Sequence, residues 1–124
     1  MAEPQMTEFQ RSVQLWSVLA YAAKMQQVLS YETLAKLTGM APIGQARPLG
    51  NIWFYCKQND LPSLTSIVVN QRTGNPPDDI GGEDLSTTQR RVFIFDWLSH
   101  HIPSVQDFEN ARIKEEAKAQ KAAG

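Results

Sequence analysis

Residues 28–58, VLSYETLAKLTGMAPIGQARPLGNIWFYCKQ, contain the pattern that decides the fold. The hydroxyl of Ser30 predicts an N-cap for a short helix over 31–38. Gly39 suits the left-handed residue that ends such a helix, because glycine has no Cβ to clash there. A connector rich in proline and glycine leads into a longer helix, predicted over 45–58 with its first residue at 45 or 47. Two helices joined by a glycine-containing turn predict a helix-turn-helix unit.

The apolar residues of these two helices have the spacing of one buried face on each helix. In the shorter helix, Leu34 and Leu37 are predicted to face inward. Pro48 is tolerated in the longer helix because it falls in the first turn, where an N–H group has no helical acceptor. The apolar stripe of the longer helix is predicted to consist of Leu49, Ile52, Trp53 and Cys56.

A long helix is predicted ahead of this unit. Thr7 and Gln10 have the spacing of a capping box, in which side chains satisfy the free amides of a helix start. The helix is expected to run to about Gln27. Its buried face is predicted from apolar residues at three- and four-residue steps, namely Phe9, Val13, Trp16, Ala20 and Ala23.

A strand and a wing are predicted after the helix-turn-helix unit. Residues 64–70 are rich in β-branched side chains, which favour a strand. Residues 71–77 have turn composition, and the acidic, glycine-containing stretch through Gly82 is predicted to be a loop or wing. Three helices followed by a strand and a wing are typical of the winged variant of helix-turn-helix domains.

A capping signature at 86–89 predicts a further helix, running through Trp97 or as far as His101. A strand over 91–95 is the alternative, because that stretch is unusually apolar for a free-standing surface helix.

Ser104 and Asp107 are predicted to cap a last helix, which has Phe108 and Ile113 as its large apolar residues. The charged, alanine-rich residues 114–124 are expected to form a frayed tail.

The predicted fold class is therefore mainly α with a small β-wing. A winged helix-turn-helix domain over 7–82 is followed by a helical appendix over 83–113 that packs on the same core.

The composition is that of an ordinary globular protein, with 124 residues, 42% apolar and 20% charged. No run of apolar residues is long enough for a membrane span, and the N-terminus lacks a basic segment followed by an apolar stretch. A cytoplasmic location is therefore expected. The net charge of −1 argues against a broad phosphate-binding surface, so any nucleic-acid face must be local and concentrated in the first half.

Motifs that carry catalysis or metal binding are missing from the sequence. His100 and His101 are adjacent, whereas helical metal sites need a spacing of three or four residues. The acidic residues over 78–84 lack the alternation of a calcium loop. Neither a Ser/His/Asp order nor a phosphate-binding glycine loop with lysine is present. We therefore expect no enzyme activity, no cofactor, no metal and no small-molecule substrate.

Three short motifs are similar to those of a known family in order and nearly in spacing. VLSYETLAKLTG (28–39) follows the pattern V/I-x-S/T-Y-x-x-L/I-A-x-x-x-G, ARPLG (46–50) follows A-R-A-V-G, and NDLPSL (59–64) follows N-P-x-P-x-L. Over roughly residues 10–82 the chain thus resembles the DNA-binding half of the O6-alkylguanine-DNA alkyltransferases. The resemblance implies a winged-helix fold whose recognition helix, 45–58, enters a DNA groove.

The resemblance ends at the strand that carries the chemistry. The family has P-C-H-R there, and its cysteine thiolate accepts the alkyl group. The corresponding residues here are Ser66-Ile67-Val68-Val69, with Ile67 at the cysteine position. Isoleucine has no nucleophilic atom, so the resemblance implies a non-catalytic relative, as in the alkyltransferase-like proteins. Cys56 is predicted to be a buried, inert packing residue.

Two functional residues of the family have counterparts in this sequence. Tyr31 corresponds to the tyrosine that crowds the phosphate of the target nucleotide. Arg47 corresponds to the arginine finger that enters the base stack in place of the flipped nucleotide. Together with Gln45 and Asn51 of the recognition helix and Arg72 of the turn, they form the predicted site for double-stranded DNA.

Structural alternatives to these roles stay open. Tyr31 is equally compatible with packing on the first helix, and Arg47 and Arg72 are compatible with solvated surface charge.

The alternative function is a protein–protein interaction module, such as an adaptor or a small inhibitor. The near-zero net charge and the acidic wing favour it, as do the aromatic residues Phe54, Tyr55, Phe93 and Phe95. A continuous positive stripe would favour DNA, and an interrupted stripe would favour a protein partner. The residues of that stripe are Lys36, Arg47, Lys57 and Arg72.

Overall fold

The computed structural model describes residues 5–74 and 84–123. This described part is mainly helical, with five α-helices and a two-stranded sheet. The elements are α1 (Glu8–Lys24), β1 (Leu29–Ser30), α2 (Tyr31–Thr38), α3 (Ala46–Gln58), β2 (Val68–Val69), α4 (Leu85–Ile94) and α5 (Val105–Ala123). Short 3-10 turns at Pro42–Gly44 and Leu64–Ile67 precede α3 and β2. None of the described helices is long and apolar enough to cross a membrane.

Local motifs set both ends of α1. The predicted capping box is confirmed, since Thr7 Oγ1 accepts from the Gln10 N–H at 3.1 Å and Gln10 Oε1 accepts from the Thr7 N–H at 2.8 Å. The helix stops at Lys24, earlier than the predicted Gln27, because Gln26 adopts a left-handed φ of 56°. The N–H groups of residues 26 and 27 then donate back to carbonyls of the last turn, which closes the helix as a Schellman motif.

The helices within residues 28–58 begin and end close to their predicted bounds. Ser30 caps α2 by accepting from the Thr33 N–H, and Gly39 ends it with a φ of 73°. The longer helix, α3, begins at Ala46.

Two predicted core positions in these helices are corrected. Leu37 is 59% exposed, because the face of α2 that meets the core carries Leu34 and not Leu37. Trp53 is only partly buried, and Tyr55 is buried in α3 instead.

The predicted strand over 64–70 is much shorter in the structure. Leu64–Ile67 is a buried 3-10 turn, and only Val68–Val69 is a strand. It pairs in parallel with β1, with Ser30 opposite Val69. The pairing cannot extend further because β1 leads directly into α2. The predicted wing continues beyond Gly74 to residues that lie outside the described part of the chain.

Helix α4 begins and ends at residues other than those predicted. Asp84 is its N-cap, rather than Ser86, and its Oδ2 accepts from the Thr87 N–H at 3.0 Å. The helix ends at Ile94, where the indole Nε1 of Trp97 donates to the carbonyl of Val92 at 2.7 Å. Trp97 therefore covers the end of the helix instead of continuing it. The alternative strand over 91–95 is wrong, because α4 runs through most of that stretch.

Helix α5 begins with the predicted cap, since Ser104 Oγ accepts from the Asp107 N–H and Asp107 Oδ2 accepts from the Ser104 N–H. It continues to Ala123, through the residues whose composition favours fraying.

A single cluster of buried side chains joins the helices around α1. Trp16 meets Tyr55 of α3 edge-on at 5.6 Å and Trp97 at 5.4 Å between ring centroids. Phe108 of α5 lies fully buried against the same tryptophan. Helix α5 packs along both α1 and α3, so α3 is covered by α1 and by α5.

Candidate nucleic-acid interface

Three segments that are distant in sequence meet at the N-terminal end of α3. The parallel pairing of Ser30 with Val69 brings the residues that follow the two strands, Tyr31 and Asn70, close to each other. Both line an open depression of about 400 Å³, together with Ile43, Ala46 and the acidic residue Glu32. The first turn of α2, the turn before α3 and the turn after β2 therefore form one surface.

Gln45 holds this surface together from the inside. Its side chain is fully buried, and Nε2 donates to the carbonyls of Tyr31 at 3.0 Å and Met40 at 3.1 Å. This corrects the prediction of a surface contact: Gln45 ties the start of α3 to the start of α2. A polar residue at a helix start gives no sequence signal that distinguishes these roles.

Asn51 is likewise buried and not presented to a partner, which corrects its predicted place in the site. Its Nδ2 donates to Glu8 Oε2 and Ser12 Oγ, each at 3.1 Å, and its Oδ1 accepts from Arg112 Nε. Asn51 thus joins α1, α3 and α5. The sequence contained no signal for this role, because the partners lie far away in both directions along the chain.

Arg47 lies on the surface at the start of α3. Its side chain is 62% exposed, and Nε and Nη2 both lie 3.3 Å from Glu8 Oε1. An exposed ion pair of this kind contributes about 0–1 kcal/mol. The guanidinium is therefore held loosely, and a phosphate that approaches it can replace the carboxylate.

Arg72 lies at the edge of the same surface. Its backbone N–H donates to Asn70 Oδ1 at 2.8 Å, which fixes the turn directly after a residue that lines the depression. Tyr31 is half-buried and packs against the core with part of its ring. The structure thus places Tyr31 and the turn at 70–72 beside Ala46 at the start of α3, whereas the guanidinium of Arg47 lies against Glu8 of α1.

The proposed positive stripe is interrupted further along α3. Lys57 pairs with Glu115 of α5, and its ammonium lies 4.3 Å from the centre of the Trp53 ring. The hydrogen bond from Lys57 lowers the pKa of Glu115. Glu8 of α1, which pairs with Arg47, also lies 3.5 Å from Arg112 of α5. Carboxylates of α1 and α5 therefore pair with both basic residues of the stripe that lie on α3.

Ile67 and Cys56, the two residues considered for alkyl-transfer chemistry, are both buried. Ile67 is fully buried. Burial raises the pKa of the Cys56 thiol to about 12, which leaves almost no thiolate at neutral pH. Among the described residues, no group of three or more His, Cys, Asp and Glu side chains could hold a metal ion. His100 and His101 stack on each other with ring centroids 4.5 Å apart.

A second surface, which we call the apolar strip, lies along the C-terminal half of α1 and was not predicted. Two neighbouring depressions of about 350 and 170 Å³ share Tyr21. The strip consists of the exposed side chains of Tyr21, Met25, Leu37, Leu98 and Ile102. The aromatic residues that suggested a protein partner, Phe54, Tyr55, Phe93 and Phe95, belong to the core or pack against it.

Comparison of the chain with protein-family models, curated proteins and solved structures found no match. The similarity to the alkyltransferases therefore rests on the three sequence motifs alone.

Proposed function

We propose that this protein is a non-catalytic DNA-binding module of winged-helix type, with the N-terminal end of α3 directed into a groove of the duplex. The observation that carries the proposal is the convergence of Tyr31, Arg47 and the turn at 70–72 around that end. Two of these segments are the ones for which the sequence resemblance implies contact with a nucleotide. The parallel strand pair and the hydrogen bond from the buried Gln45 to the Tyr31 carbonyl support this arrangement.

The electrostatics of this end support a modest affinity. The positive end of the α3 dipole and the exposed guanidinium of Arg47 lie side by side, an arrangement that favours phosphate oxygens. Glu8 competes for Arg47, but a surface pair is weak enough to exchange. With about two or three phosphate contacts, the logarithm of the binding constant should fall with log salt concentration at a slope of about −2 to −3.

Fluorescence anisotropy with a labelled duplex of about 20 base pairs, titrated between about 50 and 200 mM salt, tests the proposal. The Arg47→Ala variant should bind at least about tenfold more weakly and with a smaller salt slope. Glu8→Gln should bind more tightly than the wild type, because it releases Arg47 and removes a negative charge. Lys121→Ala, at the far end of α5, is the matched control and should change affinity little. Absence of binding at the lowest salt would overturn the proposal.

The apolar strip and the interruption of the positive stripe along α3 favour a second candidate function, a protein–protein interaction module. Exposed apolar patches of this kind on small proteins mark contact surfaces. A partner that binds the strip should be lost in Leu37→Glu and retained in Arg47→Ala, and its affinity should be insensitive to salt. The reverse pattern of variant effects would refute this candidate.

A further inference from the structure

Ile43 is an exposed apolar residue in an unusual place. Its side chain is 94% exposed, and it stands on the 3-10 turn Pro42–Gly44 between α2 and α3. Single exposed apolar side chains are common on protein surfaces, so exposure alone assigns no role. Two further features of the turn that carries Ile43 bear on its role: its hydrogen bonds and its position beside α3.

The turn that carries Ile43 is fixed on both sides. The Gly44 N–H donates to the Ala41 carbonyl at 2.9 Å, and the Gln45 N–H donates to the Pro42 carbonyl at 3.1 Å. The buried side chain of Gln45 adds hydrogen bonds to the carbonyls of Met40, just before the turn, and of Tyr31 at the start of α2. Because the backbone of the turn is already ordered, little conformational entropy is lost on binding, and less of the free energy of contact is offset.

Ile43 also stands beside the residues of the proposed DNA interface. It lines the same depression as Tyr31 and as Ala46, the first residue of α3. The turn directly precedes α3, so a groove that receives the N-terminal end of α3 also meets the tip of this turn. Isoleucine has no hydrogen-bonding group, so its contribution must come from apolar contact with the bases.

We infer that Ile43 is an apolar wedge that inserts between stacked base pairs of the bound duplex. Apolar side chains that enter a base step unstack it partly and unwind or kink the DNA. The nearly complete exposure of Ile43 supports insertion, because the side chain stands clear of the protein around it. The inference rests on the proposed DNA-binding function and adds a specific residue and a specific deformation to it.

The test combines duplex affinity with a measurement of DNA unwinding. A closed circular plasmid is relaxed by topoisomerase in the presence of the protein, and insertion shifts the distribution of topoisomers. The wild type should produce the shift, and Ile43→Leu should retain it. Ile43→Ala should bind the duplex about tenfold more weakly and lose the shift at equal occupancy. Ile94→Ala, at a 77% exposed isoleucine on α4, is the matched control and should behave as the wild type.

The outcomes separate this inference from the function on which it rests. Duplex binding without a topoisomer shift, or an unchanged shift in Ile43→Ala at equal occupancy, overturns the wedge and leaves DNA binding intact. An affinity loss confined to duplexes with thymine, again without a shift, indicates contact with the thymine methyl group and also overturns the wedge. Absence of any duplex binding at low salt overturns the proposed function and the wedge together.

Discussion

The two ends of α3 belong to the same helix but have different surroundings. At the N-terminal end, Arg47 is exposed and bound by a weak surface pair, and Ile43 stands free on the preceding turn. Toward the C-terminal end, α5 covers the helix, and Gln58 Nε2 donates to the Ala111 carbonyl at 2.9 Å. A groove-binding helix needs an accessible surface, and at the N-terminal end only Ala46 and Arg47 provide it, because Pro48, Leu49 and Asn51 are already buried. The rest of the helix is a structural part of the core.

The largest expected effect comes from removing the contact that holds α5 against the helices. Phe108→Ala should destabilise the fold by about 3–5 kcal/mol, because the fully buried ring packs on Trp16 and Tyr55. Urea unfolding followed by tryptophan fluorescence measures the change. Ile113→Ala, at an exposed position on the same helix, is the control and should change stability by less than about 0.5 kcal/mol. A loss below about 1 kcal/mol in Phe108→Ala would contradict the structural role of α5.

A smaller effect is expected at the polar junction in the middle of α3. Asn51→Ala should cost about 1–3 kcal/mol, since it removes the buried hydrogen bonds of Asn51 to Ser12 Oγ and Arg112 Nε. Thermal unfolding monitored by circular dichroism provides the measurement. If Asn51 were instead a DNA contact, its substitution would weaken duplex binding and leave the melting temperature unchanged.

The smallest effect concerns the ion pair that closes the covered end. The hydrogen bond from Lys57 lowers the pKa of Glu115 below its unfolded value of 4.5. The pair therefore stabilises the fold fully above that pH, and its contribution is lost as the pH falls through the lowered pKa. Denaturation between pH 6 and pH 3 should show this loss in the wild type and not in Glu115→Gln. Lys57→Ala should remove the same pH-dependent component; if it does not, Lys57 is not the cause of the shift.

Much of the secondary structure was predictable because it depends on neighbours in sequence. The caps at Thr7, Ser30 and Ser104 and the left-handed Gly39 are each decided within four residues. Predictions that needed a distant partner were less accurate. The strand after the 3-10 turn is short because its partner has only two residues, and α4 ends early because the Trp97 indole returns to the Val92 carbonyl.

The candidate site was predictable only in part, for the same reason. Motif spacing identified Tyr31 and Arg47, at the starts of α2 and α3, and the turn composition added Arg72. It gave Gln45 and Asn51 the same role, although both are buried. Ile43 and the apolar strip had no sequence signal, because the sequence does not reveal which apolar residues lie outside the core.

The sequence by itself determined where the helices form and how most of them begin, since capping and helix periodicity act over a few residues. It also determined that residues 59–70, which follow α3, contain no cysteine. Only the tertiary structure decided which side of α3 remains accessible. That depends on α5, about fifty residues later in the chain, which packs along α3 because its Phe108 and Ala111 are buried there rather than exposed to water.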